Sequence, residues 1–136
     1  MVREKKLVKV QLRDGAIKET EVEFFAEPPW GLALSGLSLP VLEFSGSDLF
    51  EAQIALRLQL ENIDARLLCA GARTDVFPSG MSRDMGGGRK AYITRIGAPS
   101  SRADLVDIFD FAEPKTIGSV EEQKAFHEKW AESLRR

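Results

Sequence analysis

Three groups of residues in this 136-residue chain could do chemistry by type and spacing: a glycine-rich basic segment, a run of aspartates and a lone histidine. Residues 80–90 set Gly86, Gly87 and Gly88 in a row beside Arg83, Arg89 and Lys90. Consecutive glycines can turn backbone N–H groups toward an anion, and the neighbouring cations would add charge, so the segment reads as a candidate anion-binding loop. It departs from a P-loop, because Arg89-Lys90 leads into an expected strand and not into a helix. A dinucleotide fingerprint lacks its following helix for the same reason. Met81 and Met85 lie in the same segment, and their pliable thioethers suit contact with a protein. A structural glycine turn, an anion site and a protein-contact loop are all open readings.

Asp104, Asp107 and Asp110 recur at intervals of three, which on a helix would gather carboxylates on one face for acid–base work or a divalent ion. The common role of such a set is a solvated face. His127 is the sole histidine, and no cysteine or histidine stands at metal-ligand spacing from it. Ser79 and Ser82 lack the pattern of an activated nucleophile, and Ser79-Gly80 is not the strand-to-helix elbow of a hydrolase. Cys69, the only cysteine, sits in an apolar stretch and reads as a buried structural thiol, with no intrachain disulfide possible. No catalytic residue, metal site or cofactor is expected.

The elements that must position these residues follow from periodicity. Lys6, Val8, Val10 and Leu12 alternate with polar neighbours, as do Thr20, Val22 and Phe24 with Glu19, Glu21 and Glu23. The Asp14-Gly15 pair between them predicts a hairpin turn. The three glutamates form an acidic strip that discourages edge pairing and could also serve as a docking surface. Residues 27–31, with Pro28 and Pro29, break the pattern into a loop. A short strand is expected over residues 39–44 and a helix over 49–62, the latter capped by Asp48 with Glu51 in its first turn. Its apolar positions Leu49, Ala52, Leu56, Leu60 and Ile63 recur at three and four. Further strands are expected over residues 66–72 and 90–96, separated by a long glycine-rich connection over 78–88. A short helix or turn is expected over 104–110, and a terminal helix over 120–134 capped by Ser119. That last helix should dock through Phe126, Trp130 and Leu134.

Composition bounds the rest. Hydrophobic residues make up 43% and charged residues 29%, enough apolar content to fold one domain spanning residues 1–136. No apolar run reaches the ~20 residues of a membrane helix, and the N-terminus carries no secretory apolar block, so a cytoplasmic protein with no membrane partner is expected. The net charge of −2 argues against direct nucleic-acid binding. Charge is nonetheless segregated: from Arg73 to Arg102 six basic residues face two acidic ones, between two acidic stretches.

Residues 71–92, which include Pro78-Ser79-Gly80-Met81-Ser82-Arg83-Asp84-Met85, resemble small bacterial proteins found with polymorphic or contact-dependent toxin systems. The likeness extends to Asp104-Leu105-Val106 and to residues 123–134. It implies an immunity protein, a cytoplasmic antidote that binds one toxin domain and blocks its active site, with no catalysis of its own. The expected architecture is α+β, a mixed or mainly antiparallel sheet of four to six strands with two to three helices packed on it. The candidate partner-binding residues are Met81, Arg83, Met85, Arg89 and Lys90, with Glu19, Glu21 and Glu23 as a second surface. The alternative is a small enzyme or ligand-binding domain that uses residues 80–90 for an anionic ligand.

Overall fold

The computed structural model describes residues 3–37 and 40–135. Strand β1 (Arg3–Gln11) and strand β2 (Ile17–Phe25) form the expected hairpin. Asp14 Oδ1 accepts from the Ala16 N–H at 2.9 Å, and Gly15 turns with φ at 90°. Val8, Val10, Thr20, Val22 and Phe24 face inward and are buried, and the Thr20 hydroxyl is satisfied by the Val8 carbonyl at 3.0 Å. Strand β3 (Gly31–Ser35) pairs with β2, and strand β4 (Leu42–Ser45) pairs with β3. Strand β5 (Arg66–Leu67) completes a five-stranded antiparallel sheet in the order β4-β3-β2-β1-β5. Of the expected strand over 39–44, Leu39 lies outside the described residues.

Strand β3 has no counterpart among the sequence expectations. Gly31 and Ala33 are weak strand formers, and at Gly31 the space is tight: a Cβ there would stand 3.2 Å from the Phe44 carbonyl oxygen and 3.6 Å from the Phe25 ring. Helix α1 (Leu49–Glu61) covers the inner face of the sheet, and its Asp48 cap accepts from the Glu51 N–H at 2.8 Å. Its buried face includes Gln53 and Arg57 with the expected leucines, while Ile63 and Leu58 are largely exposed.

A second, three-stranded antiparallel sheet holds strand β6 (Val76–Phe77), strand β7 (Lys90–Ile93) and strand β8 (Leu105–Asp107), in that order. Of residues 104–110, expected as a short helix or turn, Leu105–Asp107 are strand and the residues after Asp107 turn. Asp107 pairs with Lys90 across the ladder, and the three aspartates do not share a helical face. The strand expected over 66–72 ends early, at Leu67, and Ala70–Ala72 forms a 3-10 turn. One buried cluster draws side chains from both sheets and α1, with Phe109 stacked on Phe24 at 4.5 Å between ring centres.

The segment between β6 and β7 corrects the expected glycine loop. Helix α2 (Gly80–Gly86) occupies most of it, capped by the Ser79 hydroxyl, which accepts from the Ser82 N–H at 3.0 Å. Gly87 ends the helix in the left-handed region with φ at 65°, the conformation in which glycine is least strained. Glycines here terminate a helix and return the chain to a strand.

The terminal helix α3 (Val120–Ser133) carries a capping box between Ser119 and Glu122. Its docking differs from expectation. Gln123 is 1% exposed and forms the anchor, whereas Leu134 is 38% exposed and Phe126 and Trp130 are half-buried. The Trp130 indole N–H donates to the Ala98 carbonyl at 2.9 Å.

Candidate functional site

Helix α2 is mounted on the body of the protein by the cations that the sequence offered as ligand or partner contacts. Arg83 Nη1 donates to Asp48 at 3.1 Å and to Glu51 at 3.2 Å, and its guanidinium lies over the rings of Phe50 and Phe77. It ties α2 to the start of α1. The Leu49 N–H donates to the Gly87 carbonyl at 2.7 Å, and the Trp30 indole covers Gly87 so closely that a Cβ there would meet the ring at 2.4 Å. A seven-residue helix has little stability of its own, and these contacts supply it.

Arg89 is likewise committed. Its Nε donates to Asp107 at 3.0 Å and its Nη1 to Glu4 at 2.6 Å, with the guanidinium over the Phe24 ring. Burial disfavours its charge, but Glu4 and Asp107 outweigh burial and hold its pKa above the ordinary arginine value. Lys90 lies 3.8 Å from Asp107 and is about half exposed, while Lys6 bridges Asp107 and Asp110 at 3.7 and 3.5 Å. Here Asp107 and Asp110, with Glu4, balance the cations that reach the inner end of the hairpin. Asp104 pairs instead with Arg95 at 2.8 Å, which lowers its pKa.

With its cations bound inward, α2 presents Met81 and Met85 to solvent, 73% and 83% exposed. Their exposure is the unusual feature, since thioethers of this size are normally buried.

Glu19, Glu21 and Glu23 stand on the outer face of the five-stranded sheet, away from α1 and α2. Their cross-strand partners on β1 are Lys9, Leu7 and Lys5. Glu23 is bridged to Arg3 at 2.8 Å and to Lys5 at 3.6 Å. Glu23 is thus already paired and Glu19 stands opposite a lysine, while Glu21 faces the apolar Leu7, and the structure does not bring the strip together with Met81 and Met85.

His127 stacks on Phe77 with 3.7 Å between ring centres and lies 5.7 Å from Trp130. Its Nδ1 is buried and without a hydrogen-bond partner. Burial, followed by the nearby charge of Arg83, lowers its pKa, against a smaller opposing pull from Glu128. Cys69 is fully buried, and burial pushes its thiol pKa far upward, so the thiolate that would react is suppressed.

A buried polar knot escaped the sequence reading. Arg57 of α1 donates to Gln123 Oε1 at 2.6 Å, to the Gly118 carbonyl at 3.1 Å and to the Gly71 carbonyl at 3.3 Å. Gln123 Nε2 lies within hydrogen-bond distance of the Gly71, Arg73 and Val76 carbonyls, at 2.8 to 2.9 Å. Burial lowers the Arg57 pKa to about 10, still far above neutrality, so the group stays charged. The available signal was a polar pair at positions 53 and 57, one helical turn apart on the apolar side of α1.

Among the described residues no group of His, Cys, Asp and Glu side chains could hold a metal ion, and no helix is long and apolar enough to cross a membrane. No family model matches the chain, and no curated protein matches it either.

Proposed function

We propose that this chain is a protein-binding domain that acts by covering a partner's surface, with α2 as its contact. The observation that carries the reading is the exposure of Met81 and Met85 on a helix whose arginine is already tied to Asp48 and Glu51. A contact helix held in place before binding loses less conformational freedom on association. Methionine side chains adapt to an apolar pocket and contribute area without demanding a fixed shape. The resemblance to immunity proteins names the partner class: a bacterial toxin domain, neutralised in the cytoplasm by occlusion and without catalysis by this chain. The anionic-ligand reading of residues 80–90 draws less support, because Arg83 and Arg89 each already bond two carboxylates.

The test uses the toxin domain that this reading requires, sought among the genes flanking the one for this chain, and the double substitution Met81→Ser, Met85→Ser. Calorimetric titration should show affinity falling by about 2 kcal/mol or more if the methionines are anchors, with the melting temperature unchanged. Unaltered affinity in the double variant overturns the assignment of α2. Failure of the native chain to bind the toxin domain, with tight binding of a phosphorylated small molecule lost on Lys90→Ala, overturns the protein-binding reading as a whole.

A further inference from the structure

The free edge of the five-stranded sheet carries a second surface that owes nothing to α2. Strand β4 pairs with β3 on one side, and among the described residues no strand pairs with it on the other. The Gly46 N–H donates to the Trp30 carbonyl at 3.3 Å, which makes Trp30 and Gly46 a hydrogen-bonded pair of the antiparallel ladder. Such pairs alternate, so Phe44 and Leu42 also turn their polar backbone groups toward β3. The Phe44 carbonyl oxygen, 3.2 Å from the place a Gly31 Cβ would take, agrees with this phase. The N–H and C=O groups of Glu43 and Ser45 must then point away from the sheet. They form an unpaired row that another extended backbone matches.

The side chains beside this row say what kind of strand would fit. Glu43 is exposed on the outer face and has no ion pair among the described residues. Two positions earlier Val41 is 54% exposed. Behind the edge lies an open trough of about 410 Å³ on the outer face, floored by the small residues Gly31, Ala33 and Ser45 and walled by Phe25 and Pro29. Its charged lining is Glu23 and Glu43 against Arg3, and Arg3 is held by Glu23. One acidic group is left uncompensated at the edge itself.

We infer that β4 accepts an extended segment of a protein partner as an added antiparallel strand. That segment carries a lysine or arginine opposite Glu43 and a bulky apolar side chain two positions away, opposite Ser45 and over the trough. Residues directly opposite in such a pair point to the same face, so one basic and one apolar side chain both meet complementary chemistry. The inference goes beyond the α2 reading, since neither methionine takes part.

The test titrates a short blocked peptide of alternating threonine and valine, with one lysine and one phenylalanine on the same face, into the isotopically labelled full chain. A twin peptide has glutamate in place of lysine. Nuclear magnetic resonance should show the Glu43 and Ser45 amides shifting and gaining exchange protection, while those of Leu42 and Phe44, already bonded to β3, gain little. The lysine peptide should bind about fivefold more tightly than its twin, and Glu43→Lys should reverse the order. Ser45→Pro removes an outward donor at a position where an edge strand tolerates proline, and should abolish binding with the melt unchanged. If that variant fails to fold, the Glu43→Lys reversal still decides. Met81→Ser with Met85→Ser should leave peptide binding intact, which separates this surface from α2. Absence of binding, binding that leaves the Glu43 and Ser45 amides unmoved, or equal affinity for both peptides overturns the inference. So does concentration-dependent dimerisation that Ser45→Pro abolishes, because the occupant would then be a second copy of this chain.

Discussion

Replacing Gln123 with leucine should unfasten α3 from the body of the protein, although leucine is close to glutamine in size. Gln123 is 1% exposed, and its amide is the shared partner of Arg57 and three backbone carbonyls. In Gln123→Leu the Arg57 Nη1 loses its 2.6 Å bond and keeps only the 3.3 Å one to Gly71. A hydrogen bond to a charged group contributes about 1.5–3 kcal/mol. The Arg73 and Val76 carbonyls also lose a donor, at ~0.5–1.5 kcal/mol each, while Gly71 still accepts from Arg57. The sum is a destabilisation of about 2.5–6 kcal/mol, a large share of the stability of a typical domain. Urea unfolding followed by tryptophan fluorescence measures it. Arg57→Met should be costly alone, yet the double variant should be less destabilised than the two singles added, by about 1.5 kcal/mol or more, because each single change strands the other's partner. A cost below about 1 kcal/mol for Gln123→Leu, or additivity in the cycle, would refute the knot as the anchor of α3.

Trp130→Ala should cost about 2 kcal/mol in the same assay, roughly half the penalty for a fully buried ring, because the indole is half-exposed and loses one hydrogen bond to Ala98 and its stacking on His127; a loss above 4 kcal/mol would contradict the half-buried placement. His127 has a folded-state pKa below its ordinary value, so its contribution is complete above about pH 6.5, where both states are neutral, and falls as pH drops below that toward the folded pKa, where the unfolded chain takes up the proton more readily. Melting temperature should therefore decline between pH 7 and 5, and His127→Phe should flatten part of that slope; an unchanged slope in the variant would refute the assignment.

Features that depend on neighbours within a few residues are legible in the chain alone. The β1–β2 hairpin follows from alternation around Asp14-Gly15, and α1 and α3 follow from a capping side chain and a period of three to four. The α+β class follows from these elements together. Features that depend on partners far along the chain emerge only from long-range packing. Residues 80–86 carry local cap signals in Ser79 and Gly87, but a seven-residue helix is held only because Arg83 finds Asp48, 35 positions away, and Trp30 closes over Gly87. Arg89, a candidate partner contact by sequence, finds Glu4 across 85 positions, and Arg57 finds Gln123 across 66, so both serve as internal fastening. Strands β3, β6 and β8 are short and weakly patterned, and their pairing arises from register against longer neighbours. Periodicity reports which face of a segment avoids water, but a guanidinium or an amide can leave water wherever the fold brings it enough acceptors or donors. That supply is set by long-range packing, so the exposure of Met81 and Met85, and the open edge at Glu43 and Ser45, became visible once the arginines and the strands had their partners.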